Sequence, residues 1–490
     1  MKIRIGFLHK KERVKIRFNG PFKTVPPEGS GKTIIQAGEY DVKLSEGVPA
    51  RSQWYEKLET VFGIEKLDVV RSKYNVINVP TRVIRAGRKL GSTDNYEYWI
   101  LKKCISMAGR IYPSGDYRFK NIVKKKPSGI LTFNGHDFQN SIRFVPLEKY
   151  STFTVEGVDV GIGFHWDHKE NLEYSGELEI ITDTSGKLTC VNIIGIEEYL
   201  SSVNSSEMRN DNDIEMLKSQ TVAARSTVLA TMGKHHYGEG FDLCSDDHCQ
   251  CYQGVSKVSM LSSEVTNLTA GQVLIFDNKI ADARYAKICG GITERYSSCW
   301  EDLDYPYLAS VFDNETGGKS EGVSEDKKAA EFISDNEFNC FCNTFKNPLP
   351  DSLSFCKDYF RWEKEISEEK IKENLKLKFE ISAGKIRNIR VLKRGPSGRA
   401  VELEVEGSEK TFVVSKELNI RRLLSDTHLP SSAILISRIS GGWKIKGAGW
   451  GHGVGLCQIG AQIMGEKGYT YKDILKHYYR GACLRNIRDL

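Results

Sequence analysis

The chain is 490 residues long, 40% hydrophobic and 27% charged, with 70 Lys and Arg against 64 Asp and Glu for a net charge of +6. That length supports several buried cores, and the mildly basic, well-mixed charge lacks the Lys/Arg block that announces nucleic acid. No run of about 18 apolar residues exists, so no hydrophobic transmembrane segment is expected.

The opening MKIRIGFLHKKERVKIRF alternates and carries charge throughout, so it reads as a strand pair rather than a signal peptide. Residues 1–100 continue β-rich, with Ile3, Ile5 and Phe7, then Val14, Ile16 and Phe18, then Tyr40, Val42 and Leu44 alternating. The Pro/Gly cluster from Pro26 to Gly31 and the one at Gly47-Val48-Pro49 read as turns. Arg51 to Phe62 reads as a helix. Further strands are expected over Gly109–Pro113 and Gly129–Phe133, and His165-Trp166-Asp167-His168 is too weak a pattern for a metal site. Tyr174–Ile180 and Thr189–Ile194 form a hairpin that leads into a helix.

In that helix Ile196, Tyr199, Leu200 and Val203 mark one apolar face, and the next step along the stripe lands on Glu207. A carboxyl group at the edge of apolar surface suits a general acid. After Asn210-Asp211-Asn212-Asp213, rich in N-cap formers, a second helix carries Ile214, Leu217, Thr221, Ala224 and Val228 on one stripe. Lys218 and Arg225 project from a similar face of it, so a cationic face beside Glu207 is expected, orienting the acid or gripping an anionic substrate. The loop that follows, Cys244-Ser-Asp-Asp-His248-Cys249-Gln250-Cys251, with His235 and His236 just upstream, concentrates the N and S ligands zinc prefers. Disulfide pairing is the rival chemistry, and 12 cysteines at irregular spacing leave the redox compartment open.

Downstream, Gly271–Phe276 and Ile280–Ile288 read as strands, and Cys289-Gly290-Gly291 as a glycine-bearing turn. Residues 309–345 read as an acidic surface excursion, Trp362–Leu375 as an exposed helix, and 376–440 as short alternating strands. In Gly447-Ala-Gly-Trp450-Gly-His452-Gly-Val-Gly455 the glycines exclude an ordinary helix or strand. They permit either close approach to a ligand, with Trp450, His452 and Gln458 offering stacking and hydrogen bonds, or a tight turn that only packs. Two helices, Gln458–Gly465 and Tyr471–Tyr479, close the chain.

These motifs in order resemble the stage II sporulation protein D family: Glu198-Tyr199-Leu200, Ser206-Glu207-Met208, Leu217–Arg225, Asp242-Leu243-Cys244, His248-Cys249-Gln250, Tyr252-Gln253-Gly254, Cys289–Glu294, the 447–461 loop and His477–Gly481. The likeness runs from about Tyr174 to the end. It implies an α+β fold: a mixed catalytic core of helices and antiparallel strands, with a β-rich N-terminal region and an inserted α/β subdomain. The implied division is 1–170, a catalytic core over 171–310, an intervening subdomain over 311–440, and the rest of the core over 441–490.

The resemblance implies a peptidoglycan lytic transglycosylase that cleaves the MurNAc–GlcNAc bond of glycan strands and leaves 1,6-anhydro ends. Glu207 matches the family's catalytic glutamate and Arg225 the arginine of its helix. A structural zinc is implied on Cys244, Cys249, His236 and His248, with Cys251 as an extra candidate. Peptidoglycan is the implied partner, the location extracytoplasmic, and the alternative a non-catalytic wall-binding protein that stimulates an N-acetylmuramoyl-L-alanine amidase. The chain departs from the pattern at Arg209, where the family has proline, at Ser226-Thr227-Val228, and at Ala286-Lys287-Ile288, where it has a His-Ser pair.

Overall fold

The computed structural model describes residues 1–25, 33–77, 79–90, 93–104, 119–162, 167–208, 212–317 and 322–490. The turn read at Pro26–Gly31, the strand at Gly109–Pro113, His165, Trp166, Arg209 and the first two residues of the Asn210–Asp213 run lie outside them.

Alternation in the opening strands is realised as burial. Arg13–Phe18 buries Val14, Ile16 and Phe18 and exposes the residues between them, as a half-buried strand requires. Lys2–Lys11 pairs antiparallel with Leu188–Gly195 and parallel with Leu243–Cys244. The first 170 residues therefore share a sheet with the helical core. That seven-stranded sheet runs, in space, Leu243–Cys244, Lys2–Lys11, Leu188–Gly195, Glu177–Thr182, Ser141–Pro146, Phe22–Val25, Ile34–Ile35. The expected hairpin is Glu177–Thr182 against Leu188–Gly195. Its second strand, LTCVNIIG, is buried at all but its last residue, because the sheet is covered on both faces. Each fully buried Leu, Ile or Val there contributes about 1.5–3 kcal/mol.

Arg51–Val61 is a strand, not a helix, and lies between Phe119–Lys125 and Glu97–Lys103. Its charged residues read as helix formers, but pairing on both edges overrides that propensity. Tyr55 and Lys57 fall on one face, with the Lys57 ammonium 5.4 Å from the centre of the Trp99 ring.

The helices are α1 (Leu67–Val76), α2 (Ile196–Glu207), α3 (Ile214–Thr231), α4 (Met260–Leu268), α5 (Tyr296–Cys299), α6 (Asp326–Ser334), α7 (Glu368–Phe379), α8 (Glu417–Leu423), α9 (Gln458–Glu466) and α10 (Tyr471–Tyr478). Helix α3 is the hub: Asp213 caps it by accepting from the Glu215 and Met216 N–H groups, and from Ser219 to Thr231 every residue is buried. Helices α2, α4, α9 and α10 pack around it, and such all-round enclosure marks a central helix.

Two further expectations change. Trp362 lies in the strand Arg361–Ser367, which pairs with Gly442–Ala448, and the helix begins only after Ser367 accepts the Lys370 N–H. Residues 309–345 are not merely a surface excursion, since Asp313, Phe341 and Cys342 are buried. No helix among the described residues is long and apolar enough to cross a membrane. The architecture is mixed α+β, with mostly antiparallel sheets around this helical hub.

Candidate active site and metal centre

Glu207 is the last residue of α2, half-buried, and Met208 beyond it is extended. Its Oε1 accepts the backbone N–H of Cys251 at 3.4 Å, and its backbone carbonyl accepts from Lys287 Nζ at 3.0 Å. The Cys251 thiol lies 3.1 Å from Asp247 Oδ1, so Asp247, Cys251 and Glu207 form a chain of neighbours. Asp247 is solvent-facing, yet enclosure of its carboxyl by the loop and then the Glu207 charge push its pKa up. Tyr285 also faces this group: burial and then Glu207 raise its phenol, and its hydroxyl has no hydrogen-bond partner among the described residues. An orphaned buried hydroxyl beside a carboxyl marks a place where a ligand group would fit.

The loop that carries Asp247 and Cys251 is pinned from three sides. Gln250 accepts from the Tyr199 hydroxyl of α2 at 3.1 Å and donates to Ala224 O of α3 at 3.1 Å. The Tyr252 hydroxyl donates to Asn192 of the central strand, and Ser202 of α2 donates to Gly254 O.

At the other side of the loop His236, Cys244, His248 and Cys249 bring one ligand atom each within 4.8 Å of one another. Cys249 Sγ lies 3.4 Å from His236 Nε2 and 3.5 Å from His248 Nδ1, while Cys244 Sγ lies 3.8 Å from His248 Nδ1. Glu239 Oε2 is 3.0 Å from the other nitrogen of His236, the outer carboxylate that commonly orients a ligating imidazole. The Cys244 thiol is pulled well below its ordinary value by the hydrogen bond from Cys249, then by His236 and His248. Burial lowers His236, but Cys244 and Glu239 overcome it and hold it up at about 9. A thiolate facing an imidazolium is a proton pair that a divalent cation displaces. Two thiols and two imidazoles at these separations fit a metal ion.

Cys251 and His235 are not in this set. The Cys251 thiol is turned to Asp247. His235 approaches Cys249 at 3.9 Å, but its Nε2 lies 3.2 Å from Arg284 Nη2 and burial drives its pKa well down.

Arg225 does not join Glu207. Its guanidinium is buried, forms a two-point pair with Glu197 through Nε and Nη2, and donates from Nη1 to Gln272 O at 3.1 Å. Glu197 and Glu207 stand ten positions apart on α2, about 15 Å along the axis. Lys218 is paired with Glu215 at 2.6 Å. The expected cationic face is thus spent on structural pairs.

The glycine loop runs beside the segment that holds Lys287. Tyr285 and Ala286 pair with Leu456 and Cys457, and Ile288 exchanges hydrogen bonds with Trp450 at 3.0 and 2.8 Å. Here the glycines serve close packing: a Cβ on Gly455 (φ +73°) would sit 1.9 Å from Arg284 O, and one on Gly453 (φ +74°) 2.5 Å from Arg399 Cζ. Trp450 is half-buried against Tyr359, ring centres 4.4 Å apart, with Phe355 edge-on at 5.9 Å. His452 packs on Trp300 at 4.8 Å, its Nδ1 accepts the Val454 N–H, and burial with Arg284 and Arg399 nearby keeps it neutral. Gln458 is enclosed between α9 and α3 and donates to Gln220 at 3.4 Å, which removes it from a ligand-facing surface.

Residues 184–276 match the family model for the stage II sporulation protein, and residues 294–455 match a domain of unknown function (DUF8618). The chain is 27% identical over 303 residues to stage II sporulation protein D of Bacillus amyloliquefaciens, covering 59% of this chain and 74% of that protein. The family that the chain resembles, over residues 184–276, is that of the stage II sporulation protein. The chain is also similar to an uncharacterized protein of Brachyspira hyodysenteriae, 26% identical over 313 residues, covering 64% of this chain and 72% of that one. The amidase enhancer of Bacillus subtilis is 25% identical over 298 residues, 58% of this chain but 40% of the enhancer. The family segment 184–276 contains Glu207 and the whole Cys/His cluster.

Asp247, Lys287, Tyr285 and Glu239 escaped the sequence reading. Asp247 stood inside a motif read for its sulfurs, and Lys287 appeared only as a departure from the family pattern.

Proposed function

We propose that this chain is a cell-wall protein that cuts peptidoglycan glycan strands as a lytic transglycosylase, with Glu207 as general acid and then base. The observation that carries this reading is the half-buried Glu207 carboxyl at a helix end, which accepts the Cys251 N–H and has Asp247 and Tyr285 near enough to feel its charge. Glu207 donates its proton to the glycosidic oxygen as the C1–O bond of the muramic acid breaks. The resulting carboxylate takes the proton from that sugar's own 6-hydroxyl as the oxygen closes on C1, so no water is consumed and Glu207 ends protonated. Trp450, Tyr359 and Phe355 offer aromatic faces on which sugar rings stack.

In the same reading zinc is held by His236, Cys244, His248 and Cys249 and supplies structural bracing. The loop residues themselves do the positioning: Gln250 and Tyr252 fix the backbone, and Cys251 presents its N–H to Glu207.

Digestion of purified glycan with wild type and with Glu207→Gln, followed by mass analysis, tests the proposal. Anhydro-muramyl products from wild type alone are expected. If neither protein releases them, the enzyme reading is lost. The second reading, stimulation of an amidase, rests on the 25% likeness to the amidase enhancer, and it predicts faster amidase turnover that survives Glu207→Gln.

A further inference from the structure

A second set of metal-ligand side chains gathers two residues beyond Lys287, in segments the family reading leaves without a task. Cys289 opens the Cys-Gly-Gly turn, Asp313 and Cys342 come from the 309–345 excursion, and Cys457 caps α9. One ligand atom from each lies within 4.8 Å of every other, and all four residues are buried.

The spacing suits a metal better than a covalent bridge. Cys289 Sγ and Cys342 Sγ are 3.6 Å apart. Zinc–thiolate bonds of about 2.3 Å in a tetrahedron set neighbouring sulfurs about 3.8 Å apart, whereas a disulfide needs about 2.05 Å.

Backbone donors converge on the sulfurs. Cys289 N–H and Gly460 N–H point to Cys457 Sγ at 3.2 and 3.4 Å, and Gly291 N–H turns back to Cys289 Sγ at 3.4 Å. The last contact needs the left-handed glycines of the turn, Gly290 at φ +86° and Gly291 at φ +112°. A neutral thiol accepts weakly, so donors arranged this way serve thiolates, as they do around metal-bound sulfur.

Asp313 excludes a plain apolar core. It is 0% exposed and forms no ion pair among the described residues. Its Oδ2 accepts the Cys342 N–H at 3.0 Å and its Oδ1 accepts the Tyr478 hydroxyl at 2.6 Å, which leaves lone pairs for a cation. A buried carboxylate with two hydrogen bonds but no cation partner is costly, and three thiols around it are a poor solvent. A divalent cation resolves the deficit.

We propose that Cys289, Cys342, Cys457 and Asp313 form a second, closed zinc site that staples the Cys-Gly-Gly turn, the 309–345 segment and the start of α9. With four protein ligands it leaves no open position, so its role is structural. The proposal is independent of the glycan-cleaving reading.

The test is metal analysis of the full-length protein, expressed with zinc and purified without chelator. Cys342→Ser and Cys457→Ser each remove one equivalent relative to wild type, while Cys249→Ser leaves that equivalent in place. Unchanged zinc in both variants overturns the site, as does an intact mass lighter by the two hydrogens of a Cys289–Cys342 disulfide. Should the serine variants fail to fold, cobalt(II) titration of a Cys244→Ser/Cys249→Ser protein, which has no thiol left in the loop cluster's ligand set, decides. A thiolate-to-cobalt charge-transfer band supports the site, and a spectrum without one overturns it.

Discussion

Lys287 Nζ donates to the backbone carbonyl of Glu207 at 3.0 Å and lies 3.4 Å from the Met208 sulfur. A cation thereby closes the last turn of α2, where the helix leaves carbonyls without partners and its dipole is negative. The contact fixes the residue proposed to move the proton, although Lys287 stands where the family pattern has other polar residues. Losing a charged hydrogen bond of about 1.5 kcal/mol lets the helix end drift. Lys287→Met is expected to lower the rate of anhydro-product formation about tenfold, with Lys287→Arg restoring most of it. Product rates by mass spectrometry check this, and an unchanged rate in the Met variant rejects the positioning role.

The pair between Arg225 and Glu197 predicts an asymmetry in stability. Arg225 is 1% exposed at its side chain and Glu197 32%. Removing the carboxylate strands a buried guanidinium, whereas removing the guanidinium leaves a carboxylate that reaches water. Glu197→Ala is therefore expected to cost about 3 kcal/mol, and Arg225→Met about 1–2 kcal/mol. Urea unfolding of the two variants measures the difference, and equal or reversed costs count against it. Since the pair sits at the far end of α2, activity per folded molecule should change little.

Arg225 also shows where legibility in the sequence stops. The stripe Ile196, Tyr199, Leu200, Val203 gives the helix face and delivers Glu207 to its end, because 3.6-residue periodicity is a local property. The gathering of Cys and His donors between His235 and Cys251 was readable from side-chain chemistry within a short span, while the choice of Cys244, Cys249, His236 and His248 came with the family resemblance. What Arg225 meets depends on where Glu197 and Gln272 lie in space, and no spacing encodes that. The same holds for Arg51–Val61, whose polar residues favour a helix until two neighbouring strands claim both edges. Cys342 and Asp313 read as surface because their neighbours in sequence are acidic, while their burial comes from contacts with Cys289 and Tyr478.

Acid should weaken the union between the N-terminal strands and the segment after α3. Glu97 is largely buried, which alone raises its pKa, but Lys234 at 2.8 Å, the Trp99 N–H and Lys57 outweigh this and hold it at about 2 against an ordinary 4.5. A carboxyl depressed in the folded state adds stability that is fully present above its unfolded pKa of 4.5. That stability, about 3 kcal/mol, is lost as pH falls through the interval down to about 2. Urea midpoints at about pH 7 and about pH 3 should therefore fall further for wild type than for Glu97→Gln. Parallel slopes in the two proteins would show that the pair adds nothing.

The Cys/His loop offers a sharper test because two adjacent histidines meet the same sulfur. His236 reaches Cys249 with Nε2 at 3.4 Å and has its other nitrogen on Glu239, whereas His235 is 3.9 Å away and is engaged by Arg284. His236→Ala is expected to lose the zinc proposed for this loop, and His235→Ala to keep it. Glu239→Gln should weaken binding about 10–100-fold through orientation of the imidazole alone. Metal content and competitive chelator titration of the three variants read this out, and loss from His235→Ala with retention by His236→Ala would reverse the assignment. Because Cys251 N–H reaches Glu207 from the same loop, chelation should also lower the rate of glycan cleavage while the strands at the N-terminus stay folded. A rate that survives full removal of the metal would separate the loop's bracing from the chemistry at Glu207.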